Sequence, residues 1–169
     1  MTSRTRRLFF ALWPDEAIRV GIVSRRERLG RLTRQRVPDH NLHLTLLFLG
    51  DQPAERVGDI QAAAGRVSAI GCSLTLDRFG CFPGARVAWL GGEAPQELAD
   101  LVDGLKAAIE PLGLRFDDRP FRPHVTLFRQ VRRRPYFPEI EPLDWPIREF
   151  TLIESIPSQP YQVLRKWGV

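Results

Sequence analysis

Residues 43–50, HLTLLFLG, begin with a histidine and a threonine and continue as an apolar run. Five of the eight residues are Leu or Phe, which predicts a buried β-strand, placed here over Leu42–Leu49. A buried strand has no structural need for an imidazole and a hydroxyl at its start, because burying either group without a partner costs free energy. The stretch therefore predicts both a central strand and a functional site at the beginning of that strand.

The same pattern occurs a second time in the other half of the chain. The sequence HVTL of residues 124–127 repeats the HLTL of residues 43–46 at a separation of 81 residues (124 − 43), about half of the chain. The third and last histidine, His40, has no threonine two positions later, and we predict that it is a surface residue. The pairing of the two motifs indicates an internal duplication around one shared site.

Strand geometry gives the repeated motif a chemical purpose. Side chains two positions apart share one face of a strand, so His43 lies beside Thr45 and His124 beside Thr126. If a pseudo-two-fold axis relates the halves, the two pairs face each other across a groove. Imidazole titrates near pH 6.5 and serves as acid or base, and the threonine hydroxyls can bind phosphate oxygens. The set suits cleavage of a phosphodiester, with the acid and base roles left open by the near-symmetry.

The remaining sequence predicts an α+β fold in one two-lobed domain over residues 1–169. We expect duplicated antiparallel or mixed sheets, flanked by helices, with the groove at a pseudo-two-fold axis. Residues 50–53 are predicted as a turn, and residues 129–146 as a long, mobile connection. Further strands are predicted over Arg7–Trp13, Ser73–Phe79, Val87–Leu90, His124–Phe128, Phe150–Ser155 and Tyr161–Trp167, and helices from Pro14 to near Gly30, over Ala54–Val67 and over Pro95–Glu110.

Composition restricts the function classes. The chain has 25 basic and 20 acidic residues and a net charge of +5, which favours polyanionic partners. Cys72 and Cys81 form no disulfide framework, and we expect free thiols in a reducing cytoplasm. The apolar LFFALW near the start is too short for an export signal, and no run is long enough to span a membrane. Without a glycine-rich phosphate loop or an acidic or cysteine cluster, we expect neither cofactor nor metal.

Four stretches together resemble a known family. RLFFALWPDE, NLHLTLLFLG, FRPHVTLFR and YQVLRKW follow one another as in the two-histidine phosphoesterases, and specifically the bacterial RNA 2′,3′-cyclic phosphodiesterase (2′-5′ RNA ligase) branch. The resemblance implies a bilobal α+β fold and metal-independent opening of a 2′,3′-cyclic phosphate to a 2′-phosphate. It also implies that His43 is the proton donor and His124 the acceptor. The implied partners are RNA or nucleotides with cyclic phosphate ends, tRNA fragments among them, and we expect a monomer.

Strand alternation and composition give predictions for several other residues near the motifs. Arg129 resembles a basic family residue, but strict alternation places it opposite His124, so it needs a bulge or a position past the strand end to reach phosphate. Phe48 falls on the face opposite His43 and is predicted to be core. The arginines of residues 132–134 are predicted to be a solvated loop. None of the remaining aromatic residues, Phe9, Phe10, Tyr161 and Trp167, is nominated for stacking on a base.

Two other functions fit the same residues. A ligase that forms 2′-5′ linkages between RNA halves would use the same site, so only its products distinguish it. A non-catalytic module that binds RNA or nucleotides would keep the groove but would not need two groups that titrate near neutrality.

Overall fold

The fold is built on one large antiparallel sheet. The computed structural model describes residues 4–68 and 71–168. Eight strands form the main sheet in the order β10-β9-β1-β3-β7-β6-β5, with β2 paired to β7, and β4 and β8 form a separate ribbon. The strands are β1 (Thr5–Leu12), β2 (Gln35–Arg36), β3 (Leu44–Pro53), β4 (Cys72–Leu76), β5 (Arg78–Phe82), β6 (Val87–Gly91), β7 (His124–Arg129), β8 (Leu143–Ile147), β9 (Glu149–Ser155) and β10 (Gln162–Gly168).

Three helices cover one face of this sheet: α1 (Glu16–Glu27), α2 (Val57–Ala64) and α3 (Gln96–Ile109). The Asp15 side chain caps α1 by accepting a hydrogen bond from the backbone N–H of Ile18 at 2.9 Å. The helices and the covered face of the sheet share the main hydrophobic core. The other face carries a smaller cluster around Phe9, Ala11 and Ile153, so the central strand β1 is covered on both faces. The predicted α+β class is confirmed.

The two halves of the chain meet where both motifs begin. Strands β3 and β7 are antiparallel and pair only at Leu44 and Val125. The same register, extended by one residue each way, sets His43 against Thr126 and Thr45 against His124. The motifs therefore lie side by side about a local two-fold axis through one backbone pair. The halves join within a single continuous sheet.

A β-bulge follows the threonine in each motif. In β3 the pairing with β1 skips Leu46, so that Leu46 and Leu47 both enter the main core. In β7 the pairing with β6 skips Leu127, and Leu127 and Phe128 both enter the same core. The two bulges are separated by 81 residues (127 − 46), the same spacing as the histidines. The duplication therefore extends to an irregularity of the backbone.

Two sequence predictions about the elements are wrong, and a third is right only in part. The predicted strand Ser73–Phe79 is two strands in different sheets, because the chain turns at Asp77, whose N–H donates to the Gly91 carbonyl at 2.9 Å. The predicted turn at residues 50–53 is the end of β3, which stays paired with β1 as far as Thr5 and Pro53. The connection predicted over residues 129–146 is confirmed for residues 130–142, but β8 begins at Leu143. Arg25 donates hydrogen bonds to the backbone carbonyls of Glu141 and Pro142 in this connection.

The other elements agree with their predictions to within a few residues, except that β2 was expected to be loop. Its two residues form a ladder only because β7 leaves that edge unpaired beyond Val125. Cys72 and Cys81 are free thiols. Among the described residues, no helix is long and apolar enough to cross a membrane. The predicted single domain of residues 1–169 includes residues 1–3, 69–70 and 169, which lie outside the described part of the chain.

Candidate active site

Both motif histidines are held by the same backbone contact. Nδ1 of His43 lies 2.7 Å from the carbonyl oxygen of Asn41, and Nδ1 of His124 lies 2.7 Å from that of Arg122. A carbonyl can only accept, so each Nδ1 carries the hydrogen and donates it. The Nε2 of each ring is then the atom left to accept a proton when the ring is neutral and to donate one when it is charged. Each imidazole is thus oriented by a hydrogen bond to the carbonyl of the residue two positions before it.

Three aromatic rings surround His43. The indole of Trp13 is stacked on the imidazole at an interplanar angle of 4° and a centroid distance of 5.3 Å. Tyr161 meets the imidazole edge-on at 5.2 Å, and Phe9 lies tilted at 5.1 Å. These rings belong to the cluster on the face of the sheet opposite the helices. They restrict the ring plane of His43 and exclude water from much of its surface.

Two aromatic rings contact His124. Phe82 meets it edge-on with centroids 4.9 Å apart, and Trp89 lies tilted at 6.2 Å. The Trp89 ring has room because Gly80 on the neighbouring strand has no side chain: a Cβ there would lie 2.2 Å from the indole. The second histidine is therefore also set among aromatic rings, although with fewer than the first.

Burial makes both histidines hard to protonate in the free protein. Removal from water is the main cause that lowers the pKa of His43 from 6.5 to about 4, and the charges of Arg129 and His124 act in the same direction. Burial also lowers the pKa of His124, with a contribution from Arg119. The backbone carbonyl that each ring contacts opposes these effects. At neutral pH both rings are therefore neutral in the empty site.

The threonines and Arg129 lie on the same face of the sheet as the two histidines. Thr45 and Thr126 are half-buried, and neither hydroxyl bonds to another described residue. The bulge at Leu127 turns Arg129 onto the histidine face, and its charge acts on the pKa of His43. No acidic side chain in the described ranges forms an ion pair with this guanidinium. The five residues predicted for the site are thus brought together, with Arg129 placed by the bulge that it required.

One face assignment from the sequence is wrong. Phe48 was predicted to lie opposite His43 in the core, but it packs in the cluster with Phe9 and Ala11 on the histidine face. The bulge at Leu46 reverses the alternation before Phe48 is reached. The guanidinium of Arg7 lies over the Phe48 ring at 4.8 Å from its centroid, so this side of the site also carries a positive charge.

The aromatic neighbours of the histidines were not identified from the sequence. No stacking role was predicted for Trp13 or for Tyr161. A usable signal was present in β1, where RLFFALW is apolar at odd and even positions alike, which is typical of a strand covered on both faces. Nothing comparable identifies Phe82 or Trp89. His40 is exposed, as predicted.

Metal ligands are not grouped in the described ranges: no three His, Cys, Asp or Glu side chains lie close enough to share an ion.

Comparison with known proteins decides the family. The family model described as the 2′-5′ RNA ligase superfamily matches residues 14–156. The chain belongs to this superfamily. The resemblance that the paired motifs predicted is thereby confirmed, and the matched segment contains both motifs.

Named relatives extend the similarity over nearly the whole chain. A protein of Escherichia coli K12 named RNA 2′,3′-cyclic phosphodiesterase is 34% identical, with 99% of this chain and 98% of that protein covered. A protein of the same name from Thermus thermophilus is 33% identical, covering 96% and 90%. The crystal structure of E. coli LigT complexed with 3′-AMP matches with a TM-score of 0.89 and 33% identity, covering 98% of this chain and 99% of that one.

Proposed function

We infer that the chain is an RNA 2′,3′-cyclic phosphodiesterase that opens the cyclic phosphate to a 2′-phosphomonoester. The similarity of the whole chain to relatives of that name supports the activity. The observation that carries the mechanism is the pair of imidazoles whose Nδ1 atoms are both occupied by backbone carbonyls. The pairing of Leu44 with Val125, which sets the two motifs side by side, supports the proposal that both Nε2 atoms act on one phosphorus atom.

The reaction needs one proton to enter and one to leave. A water oxygen bonds to phosphorus as the bond from phosphorus to the 3′-oxygen breaks. His124 accepts the proton of the water at Nε2, and His43 donates a proton from Nε2 to the departing 3′-oxygen. The role of each histidine follows the family assignment. The threonine hydroxyls and Arg129 donate hydrogen bonds to the non-bridging oxygens and stabilise the charge that develops there.

His43 must gain its proton together with the substrate. Its pKa of about 4 in the empty site leaves it neutral at pH 7. A phosphate anion beside Nε2 favours the charged imidazolium and raises that pKa. The indole face of Trp13, stacked on the ring, also favours the cation. The charged donor therefore forms in the complex rather than in the free protein.

The test is to incubate the purified protein with adenosine 2′,3′-cyclic phosphate in excess EDTA and to identify the product by phosphorus NMR. We expect sustained turnover and a single product, the 2′-monophosphate. Formation of the 3′-monophosphate would contradict the assigned leaving oxygen. Loss of activity on chelation would contradict catalysis by the histidines without a metal.

A second candidate is the formation of 2′-5′ linkages between RNA ends, which the description of the matching family model supports. The groups that open a cyclic phosphate with water would also join it to a 5′-hydroxyl that takes the place of the water. His124 accepts the proton of the 5′-hydroxyl, and His43 protonates the 3′-oxygen as its bond to phosphorus breaks, which leaves a 2′-5′ phosphodiester. Incubating two RNA halves, including tRNA halves, and looking for a 2′-5′ joined product tests this activity. Sedimentation of the same preparation tests the expected monomer.

A further inference from the structure

An arginine-rich cavity lies outside the groove, between the end of α1 and the loop into β2. Its volume is about 400 Å³. We call it the arginine cavity. Its lining includes Arg26, Arg31, Arg34, Arg36, Glu27 and Phe128. Four guanidinium groups against one carboxylate give the cavity an excess of positive charge, which suits an anionic ligand.

The arginines of this cavity are only partly neutralised. Arg36 forms ion pairs with Glu27 at 3.3 Å and with Asp39 at 3.5 Å. Arg31 and Arg34 are exposed, and neither forms an ion pair with an acidic residue in the part of the chain that the structure describes. Two guanidinium groups at the cavity are therefore available to a ligand.

Arg26 adds a buried donor to the same cavity. Its side chain is 1% exposed, donates to the Val37 carbonyl at 2.8 Å and pairs with Asp39. Its Nε atom is buried and has no hydrogen-bond partner among the described residues. The buried charge of Arg26 adds to the positive potential at the cavity, and Asp39 offsets part of it.

The arginine cavity adjoins the proposed phosphate-binding residue Arg129. Phe128, which lines the cavity, precedes Arg129 in the chain. The Thr33 hydroxyl, also at the cavity, donates to the Arg129 carbonyl at 2.7 Å, and Gln35 pairs with Arg129 across the β2–β7 ladder. Phe128 faces the helix side of the sheet and Arg129 faces the histidine side, so the cavity and the groove lie on opposite faces of the sheet at the β2–β7 edge.

The duplication provides an internal comparison for this charge. Residues 25–36, which lead to the first motif, contain six arginines and one glutamate, a net charge of +5. The equivalent residues 106–117, displaced by 81, contain one lysine, one arginine, one aspartate and one glutamate, a net charge of zero. The two segments occupy corresponding backbone positions. Gln35 of the first segment pairs with Arg129 in β7, and the backbone N–H of Asp117 in the second donates to the carbonyl of Phe48 in β3 at 2.9 Å. Only the half that adjoins Arg129 is basic.

We propose that the arginine cavity binds a backbone phosphate of the RNA chain that leads to the cyclic phosphate, so that the preferred substrate is an oligonucleotide rather than a mononucleotide. This inference rests on the proposed function. Arg31 and Arg34 contact the phosphate, and the buried charge of Arg26 adds to the attraction. The ligand is a phosphodiester, whose negative charge complements the positive charge of the cavity. Such a contact does not depend on the identity of the bases.

The experiment uses the double variant R31A/R34A and two substrates, adenosine 2′,3′-cyclic phosphate and an octanucleotide RNA ending in the same group. We expect kcat/KM for the octanucleotide to fall by about tenfold or more, with the mononucleotide unchanged. The slope of log kcat/KM against log salt for the octanucleotide should flatten by about 0.7 for each phosphate that the variant no longer binds. The matched control is R66A/R148A, which removes the same charge from exposed sites away from the cavity.

A binding measurement separates failure of this proposal from failure of the proposed function. A fluorescent octanucleotide that ends in a 2′-phosphate is titrated into the wild-type protein and both double variants, and anisotropy is recorded. Weaker binding to R31A/R34A alone supports the cavity even if no cyclic phosphate is opened. Equal binding and equal turnover by the wild type and R31A/R34A would overturn the proposal, as would an equal loss in R66A/R148A.

Discussion

Phe48 and Arg129 occupy equivalent positions in the two halves of the sheet. Each lies five residues after its motif histidine (48 − 43 and 129 − 124), and each follows a bulged leucine that turns it onto the histidine face. The two halves thus share the same β-bulge, but the first half presents an aromatic ring to the groove and the second half presents a guanidinium. The asymmetry of the groove begins at this pair of residues.

The first prediction concerns the two effects of Arg129. In R129M the pKa of His43 should rise, because a nearby positive charge that opposes protonation is removed. Turnover should nevertheless fall by roughly 100-fold, because a donor to the phosphate oxygens is removed. The proton NMR titration of the imidazole and kcat/KM for the cyclic nucleotide measure the two effects separately. A fall in turnover without a rise in the pKa would mean that the charge does not reach His43.

The second prediction is a difference between two pH profiles. The free protein has both histidine pKa values below 6.5, so kcat/KM should decline on the alkaline side from below pH 6.5. The profile of kcat reports the complex, in which the phosphate anion favours the imidazolium, so its alkaline limb should lie at higher pH. Initial rates at limiting and saturating substrate between about pH 4.5 and about pH 9 give both profiles. Coincident alkaline limbs would contradict substrate-linked protonation.

The third prediction is a pH dependence of folding. The pKa of His43 is lower in the folded protein than in the unfolded chain, so the unfolded state binds the proton first as the pH falls. The contribution of neutral His43 to the free energy of unfolding is fully present above pH 6.5. It is lost as the pH falls from 6.5 to about 4, to a total of about 3 kcal/mol. Urea unfolding at several pH values should therefore show a shallower acid loss in H43Q than in the wild type. Equal losses would place His43 in a hydrated environment.

The fourth prediction tests the support of His124. In G80A the added Cβ would lie 2.2 Å from the Trp89 ring, so the indole must move from its position against His124. We expect lower kcat with a smaller change in KM for the cyclic nucleotide. The control is G58A in α2, where an added Cβ meets nothing within 4 Å and alanine favours the helix. Full activity in G80A would show that the Trp89 contact is dispensable.

Much of the site could be predicted because its signal is local. In each motif the histidine and the threonine lie within three residues of sequence. Strand alternation therefore places them on the same face of their strand without knowledge of the fold. The sequence does not show the pairing of Leu44 with Val125 that joins the two motifs. That the motifs meet could be inferred only from their repetition. Both motif strands were predicted to within a few residues.

The features that were not predicted depend on pairing between strands far apart in the sequence, which the sequence does not show. A bulge at Leu46 or Leu127 leaves no mark in a run of apolar residues, yet it decides the face of everything that follows. The predicted face of Phe48 was therefore wrong. The bulge that Arg129 needs in order to reach the histidine face is present in β7, and its contact with phosphate stays a prediction. The break at Asp77 was missed because the strands on its two sides follow one another directly in the chain but belong to different sheets.

The most direct test of two histidines acting on one phosphate is a double-mutant cycle in the opening of adenosine 2′,3′-cyclic phosphate. Rates are measured for H43N, H124N and H43N/H124N, with circular dichroism to verify folding. If the two rings work as a pair, each single variant loses roughly 100-fold to 10,000-fold, and the double variant loses little more than either alone. Full turnover in either single variant, or losses that multiply in the double variant, would contradict the account.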